Sequence, residues 1–176
     1  MTGQGKERVS DYGAPLSPRV KATSALGTVV LLGEAALLLG LAGRVPAPVA
    51  SVFRAAGWAM LALFTGVALF AIRGYRLENG ELLVRRPLWS TRYSLAGLAS
   101  AERDPRALRP TLFGVGNNGF FAVDGWRRVD PYGWCRALAT NAANAVVLRT
   151  AGRTLIVTPE RPDEFVAEAR AWGPRG

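Results

Sequence analysis

The chain has no histidine and a single cysteine, Cys135. Without histidine the Ser-His-Asp and Cys-His arrangements of nucleophilic catalysis are excluded. The commonest zinc ligand is missing too, and one cysteine cannot build a cysteine site or an internal disulfide. Lysine is nearly absent: only Lys6 and Lys21 occur, so the positive charge is carried by arginine. Charged residues are scarce at 20%, yet 22 Lys+Arg against 13 Asp+Glu leave a net charge of +9. The 176 residues allow one domain with appendages, not two large domains.

What the chain has in abundance is apolar residues, 49% of the total, and two stretches concentrate them. The first runs from Thr23 to Gly43 with one charge, Glu34, and the second from Val49 to Ile72 with one charge, Arg54. A bilayer core of ~30 Å needs about 20 apolar residues as helix, and both stretches reach that. Helices buried in a soluble protein would show a polar face every 3.6 residues. Leu37-Leu38-Leu39 and Leu61-Ala62-Leu63-Phe64 show none. A cleaved signal peptide fits less well, because its apolar core is typically ~7–15 residues and no second span would follow. Two transmembrane helices over 23–43 and 49–72 are therefore expected.

Arg44-Val45-Pro46-Ala47-Pro48 between them predicts a tight turn joining antiparallel helices. Arg19 and Lys21 precede the first span, and Arg73, Arg76, Arg85 and Arg86 follow the second; the turn offers only Arg44. The positive-inside rule then places both termini in the cytoplasm, as a multi-pass protein of the cell membrane. Residues 1–22 mix Gly, Ser, Pro and charge without periodicity and read as a disordered cytoplasmic tail.

From Gly74 the pattern changes from runs to alternation. Asn79-Gly80 between strand-like segments predicts a tight hairpin, because both residues accept positive φ. Trp89, Thr91, Tyr93 and Leu95 alternate with Ser90, Arg92 and Ser94, which is period two with one face toward a core. Leu98 to Glu102 adds a strand, and Arg103 to Pro110 is a loop broken by Pro105 and Pro110. Asp124-Gly125 reads as a second hairpin turn, between Phe120–Val123 and Trp126–Val129. Asp130-Pro131-Tyr132-Gly133 is turn-like, and Trp134 to Thr140 is a strand. Ala145–Thr150 and Arg153–Thr158, around Ala151-Gly152, give the clearest hairpin, rich in Val, Ile, Leu and Thr. Pro159, Pro162, Asp163 and Glu164 suit a helix start, Phe165, Val166, Ala169 and Trp172 share one helix face, and Gly173-Pro174 ends it. The expected α+β order is about seven short strands and one amphipathic helix plugging their open end.

Three segments, "YRLENGELLVRR", "LFGVGNNGFF" and "AVVLRTAGRTLIVTPERPDEFV", together with the two spans, resemble the bacterial pleckstrin-homology-like (bPH) membrane proteins. The last segment, with its Gly-Arg turn, "TPE" and "PDEF" helix start, is the most specific. The resemblance covers Gly74 to about Trp172. It implies a seven-stranded antiparallel PH-like barrel or sandwich with a C-terminal helix over 74–173, no enzymatic activity and no cofactor. The turn-rich stretch from Asp124 to Gly133 departs from it.

Among candidate sites, Gly114-Val115-Gly116-Asn117-Asn118-Gly119 matches G-x-G-x-x-G but lacks the strand-to-helix context that cradles a dinucleotide, and reads as a loop or bulge. Glu34 sits near the centre of the first span, where an ionised carboxylate facing lipid costs about 2.5–3.5 kcal/mol or more. Across the proline turn it faces Trp58, with Arg54 one helical turn away, about 6 Å along the axis. Glu34 and Arg54 are thus expected to pair, or to share a partner helix. Arg73, Arg76, Arg85, Arg86 and Arg92 are candidates for contact with anionic headgroups, worth ~1 kcal/mol each near the surface, against a plainer reading as topology signal and solvated strand faces. Trp126, Trp134, Tyr132 and the two phenylalanines read as strand-core residues rather than a binding face. The partners implied are the membrane, anionic lipid, and a protein or a second copy of the chain; ten acids in the same domain argue against nucleic acid. No catalytic or metal-binding set can be assembled.

Overall fold

A computed structural model describes residues 9–109 and 114–172. Its first element corrects the expected tail. Val9–Gly13 is a strand, β1, and Pro18–Leu41 is the first helix, α1. Ser10 and Tyr12 face inward while Val9 and Asp11 are exposed, so the strand carries no apolar alternation to read. The α1 start lies upstream of Thr23 because Ser17 caps it, accepting from the Val20 N–H at 3.2 Å, with Pro18 in the first turn. The second helix, α2, spans Ala47–Leu69, so Phe70 to Ile72 of the expected span fall outside the helix. Residues 1–8, Pro110 to Phe113 and the Gly173-Pro174 stop lie outside the described residues.

The helices pack through a seam of small residues. Ala35, Ala50 and Gly57 are buried, and a Cβ at Gly57 would sit 2.7 Å from Leu39 Cγ. Close approach through small residues is how apolar helices associate where no hydrophobic drive separates them from their surroundings.

Strands β2 (Gly74–Glu78), β3 (Glu81–Arg85) and β4 (Ser90–Ser94) join β1 in an antiparallel sheet of order β1-β2-β3-β4. Asn79 and Gly80 both take positive φ, 50° and 75°, as the hairpin requires. A second sheet holds β5 (Leu98–Arg103), β6 (Gly114–Phe120), β7 (Ala122–Val129), β8 (Gly133–Ala139), β9 (Val146–Thr150) and β10 (Arg153–Val157). Its order is β5-β9-β10-β8-β7-β6. The architecture is α+β as expected, with two corrections. Among the described residues nine strands, not seven, run from Gly74 onward, and they lie in two sheets. Strand β8 also pairs with β10 in parallel, Thr154 opposite Cys135 and Val157 opposite Leu138.

The hairpin expected at Asp124-Gly125 is not there. Both residues lie inside β7, and the β6–β7 reversal falls at Phe121, whose φ is 60°. Gly125 serves close approach instead: it pairs with Gly116, and a Cβ on it would collide with the Val115 carbonyl oxygen. The G-x-G-x-x-G stretch is accordingly strand β6, not a phosphate loop.

The core lies between the sheets. Tyr75, Leu77, Leu82 and Val84 from one face Leu138, Val146, Leu148, Leu155 and Val157 from the other. The last helix, α3 (Pro162–Ala171), closes it with Phe165, Val166 and Ala169, and half-buried Trp172 covers the Gly80 turn. Tyr12 meets Phe165 edge to face at 5.1 Å, and Glu168 accepts from Ser10 Oγ and Tyr12 Oη at 2.6 Å each. A buried polar knot fixes where α1 leaves the domain. Tyr75 Oη donates to the Leu138 carbonyl, Thr140 Oγ1 donates to the Pro15 carbonyl, and the Ser17 N–H donates to the Thr140 carbonyl. Burial pushes the Tyr75 hydroxyl up to about 12, so it stays a donor.

Candidate functional site

The inner face of β4 is incompletely covered. Its residues alternate between exposed and half-buried, never fully buried. Beside it a cleft of about 320 Å³ opens, lined by Tyr93 of β4, Trp126 of β7, Arg136 of β8, the Gly152 turn, and Arg153 and Leu155 of β10. Trp126 stands opposite Arg136 in the β7–β8 ladder, which brings the guanidinium to 6.0 Å from the indole centroid. Arg153 is exposed and makes no ion pair among the described residues.

Behind the cleft Asp124 holds two arginines. Its Oδ1 accepts from Arg136 at 2.6 Å and its Oδ2 from Arg86 at 2.7 Å. Arg86 also donates to the Phe70 carbonyl at the end of α2 and stacks over the Phe70 ring at 5.5 Å. The negative end of a helix dipole favours a cation there. Arg86 Nε is buried and has no hydrogen-bond partner among the described residues. Arg136 and Arg153 line the cleft and, among the described residues, no acid does, which leaves its wall net positive. With an aromatic face and an aliphatic floor, it suits a small anionic group attached to something apolar.

The five candidate headgroup arginines are not equivalent. Arg86 is buried in its ion pair with Asp124, with its side chain only 3% exposed, so it is unavailable to lipid and that expectation is corrected. Arg76 is held bidentate by Asp11 at 2.8 and 2.9 Å, Arg85 lies 3.4 Å from the same carboxylate, and Arg92 is 3.6 Å from Glu81. Only Arg73 of the five is exposed without an ion pair among the described residues. Glu34 and Arg54 are both exposed on α1 and α2, and no ion pair joins them among the described residues. The helices meet along Ala35, Leu39 and Gly57, which turns both charges away from the seam.

Trp126 and Trp134, expected in the core, are about half exposed, while Tyr132 is half-buried and donates to Asp104 Oδ2 at 2.9 Å. The alternation of β7 carries the missed signal. Trp126 shares its face with Asp124 and Arg128, whereas Gly125, Arg127 and Val129 take the other. A tryptophan on the polar face of a strand is a surface residue. Arg136 and Arg153 had no comparable signal, since their convergence depends on the parallel β8–β10 pairing.

A family model described as bacterial PH domain matches residues 73–171. No curated protein and no solved structure matches the chain. The matched stretch runs from the exit of α2 through strands β2 to β10 to the last turn of α3, and the chain belongs to the bacterial PH domain family.

Proposed function

We propose that this is a non-enzymatic membrane-anchored protein that presents its bacterial PH domain at the cytoplasmic membrane face, where the cleft binds a protein segment or a lipid headgroup. The carrying observation is the exposure of the two helices. Over their most apolar windows only 11% of α1 and 6% of α2 is buried, although the mean hydropathy reaches 1.9 and 1.6. Core helices of a soluble protein would be mostly buried. The pairing of β1 with β2 supports the anchoring, because it sets the chain before α1 and the chain after α2 at one end of the helix pair, as two spans require. Flanking Arg19, Lys21, Arg73 and Arg76 support a cytoplasmic location for that end. PH-like domains are in general binding modules rather than catalysts, and the cleft offers charge and aromatic surface in keeping with that.

Two measurements test it. A reporter fused after Gly176 that works only outside the cytoplasm stays silent; activity there overturns the orientation. Arg153→Glu, which reverses charge at an exposed position, weakens capture of anionic vesicles or of a co-purifying partner. Unchanged binding removes the cleft from the reading.

A second reading, an accessory subunit of a larger membrane assembly, is favoured by one observation. Glu34 and Arg54 form no ion pair among the described residues, within stretches 23–43 and 49–72 that hold no other charge, and charges inside a bilayer find partners. One stoichiometric membrane protein recovered in mild detergent, lost with Glu34→Gln, supports that alternative.

A further inference from the structure

The β6–β7 reversal does not project into solvent. Phe120 packs against Gly27 of α1, where an added Cβ would run into the Phe120 ring, and Phe64 of α2 meets Phe120 and Phe121 edge to face at 6.5 and 6.1 Å. Phe121 holds φ 60°, a region bulky residues rarely enter. It is pinned there by Ser24 of α1, whose buried Oγ accepts the Phe121 N–H at 2.7 Å. The tip is therefore fixed against the flank of the helix pair.

Its level along the helices can be measured against charge. Arg19, Lys21 and Arg73 are exposed, make no ion pairs among the described residues, and mark where both helices meet the domain. Gly27 lies six residues beyond Lys21, about 9 Å along the axis, and Phe64 five residues before Leu69, about 7–8 Å. A second apolar projection stands at the domain's helix-facing end. In the β3–β4 turn Leu88 is 75% exposed, and half-exposed Phe70 meets Trp89 edge to face at 5.2 Å. On α2 itself Trp58 and Leu63 are also exposed.

We infer that the bacterial PH domain is itself a membrane-contact surface. The Phe120-Phe121 tip and the Leu88-Trp89 turn enter the boundary between headgroups and acyl chains beside α1 and α2, and the bilayer is their partner. This rests on the reading that the two helices span a membrane. The depth of about 9 Å from Lys21 to Gly27 lies within the ~5–10 Å at which apolar faces settle into that boundary. Tryptophan and phenylalanine next to arginine and lysine is the side-chain chemistry that such a boundary selects. The domain is thereby held in one orientation against the membrane, rather than swinging on the short Phe70–Arg73 connection.

The test uses the full chain in vesicles whose acyl chains carry nitroxide quenchers. Leu88→Cys and Phe121→Cys are labelled with an environment-sensitive fluorophore. Trp58→Cys on α2 and Trp134→Cys are labelled as references. Trp134 pairs with Arg128 at the far end of the β7–β8 hairpin, about 20 Å from the tip. Cys135 is buried, with its thiol pushed up to about 11 by burial, and does not label in the folded protein. The expected result is a loss of emission at Leu88 and Phe121 close to that at Trp58 and several-fold larger than at Trp134. Leu88 is exposed enough to tolerate substitution, so it decides the outcome if the Phe121 variant misfolds. A Leu88 label that behaves like the Trp134 label while Trp58 is quenched overturns the inference and leaves the anchoring intact. A Trp58 label that escapes quenching overturns both.

Discussion

Helix α1 and the β9–β10 hairpin are built from the same branched and aliphatic residues, and they treat them oppositely. Val146, Val147, Leu148, Leu155, Ile156 and Val157 are fully buried, because a central strand is covered on both faces. Leu26, Val29, Val30 and Leu37 of α1 stand exposed, although the helix around them is the more apolar element. Composition alone thus says how much apolar surface a segment carries. Where that surface goes depends on the geometry of the element and on what surrounds it.

The sharpest way to break this contrast is to remove a buried ring. Phe165 is 0% exposed and joins both sheets to α3. Phe165→Ala should lower the stability of the β domain by about 3–5 kcal/mol, read by denaturant unfolding of the full chain in detergent. An unchanged midpoint would mean that α3 is not part of the core. In the helix pair the vulnerable site is the opposite kind, a place already full. Gly57→Val puts a side chain where Leu39 Cγ would be 2.7 Å away, and overpacking of this sort costs about 1–3 kcal/mol. The loss should appear in the unfolding of the helices and leave the β-domain transition where it was. A single shared shift would show that the two regions unfold as one unit.

The two regions also differed in how far they could be read in advance. Both long apolar helices, the Asn79-Gly80 and Ala151-Gly152 hairpins and the α3 face were legible, because length, turn chemistry and periodicity are local properties. β1 was not, since its one buried residue, Tyr12, acquires meaning only against Phe165 and Glu168, more than 150 positions away. Asp124-Gly125 misled because its chemistry suits a turn equally well. Asp124 is instead drawn inward by Arg86 and Arg136, and Gly125 by the backbone opposite. The arginines after α2 looked alike in sequence and were sorted only by their ion pairs: with Asp124 for Arg86, with Asp11 for Arg76 and, among the described residues, none for the Arg73 side chain.

A smaller effect probes the seam between the regions, where β1 joins the domain. The Arg76 hydrogen bond and charge hold the Asp11 carboxyl below its ordinary value of 3.8. A depressed folded value stabilises the pairing fully above 3.8, and that contribution disappears as pH falls through the lowered value. Protection of the β1 amides in hydrogen exchange should therefore be flat through neutral and mildly acidic pH and fall only below about 3.8. Asp11→Asn should abolish that acid step and otherwise change little, because the pair is exposed to solvent. Loss of protection near pH ~6 would assign the seam to other groups.

The smallest expected effect bears on what surrounds the helices. Leu37 is 61% exposed on α1, so Leu37→Ala removes a large side chain that touches little within the chain. In a core the same truncation costs about 2–5 kcal/mol. Here it should cost no more than about 0.5 kcal/mol in detergent, the range of substitutions away from packed or hydrogen-bonded features, because detergent meets either side chain. The measurement is the helix unfolding midpoint of the purified chain beside that of Gly57→Val. A null result keeps Leu37 facing lipid and the helix pair as a plain anchor. A core-sized loss would mean that another helix covers Leu37, from a second copy or a different protein. Glu34 lies less than one helical turn away and would then have a neighbour within reach, which shifts the balance toward the accessory-subunit reading.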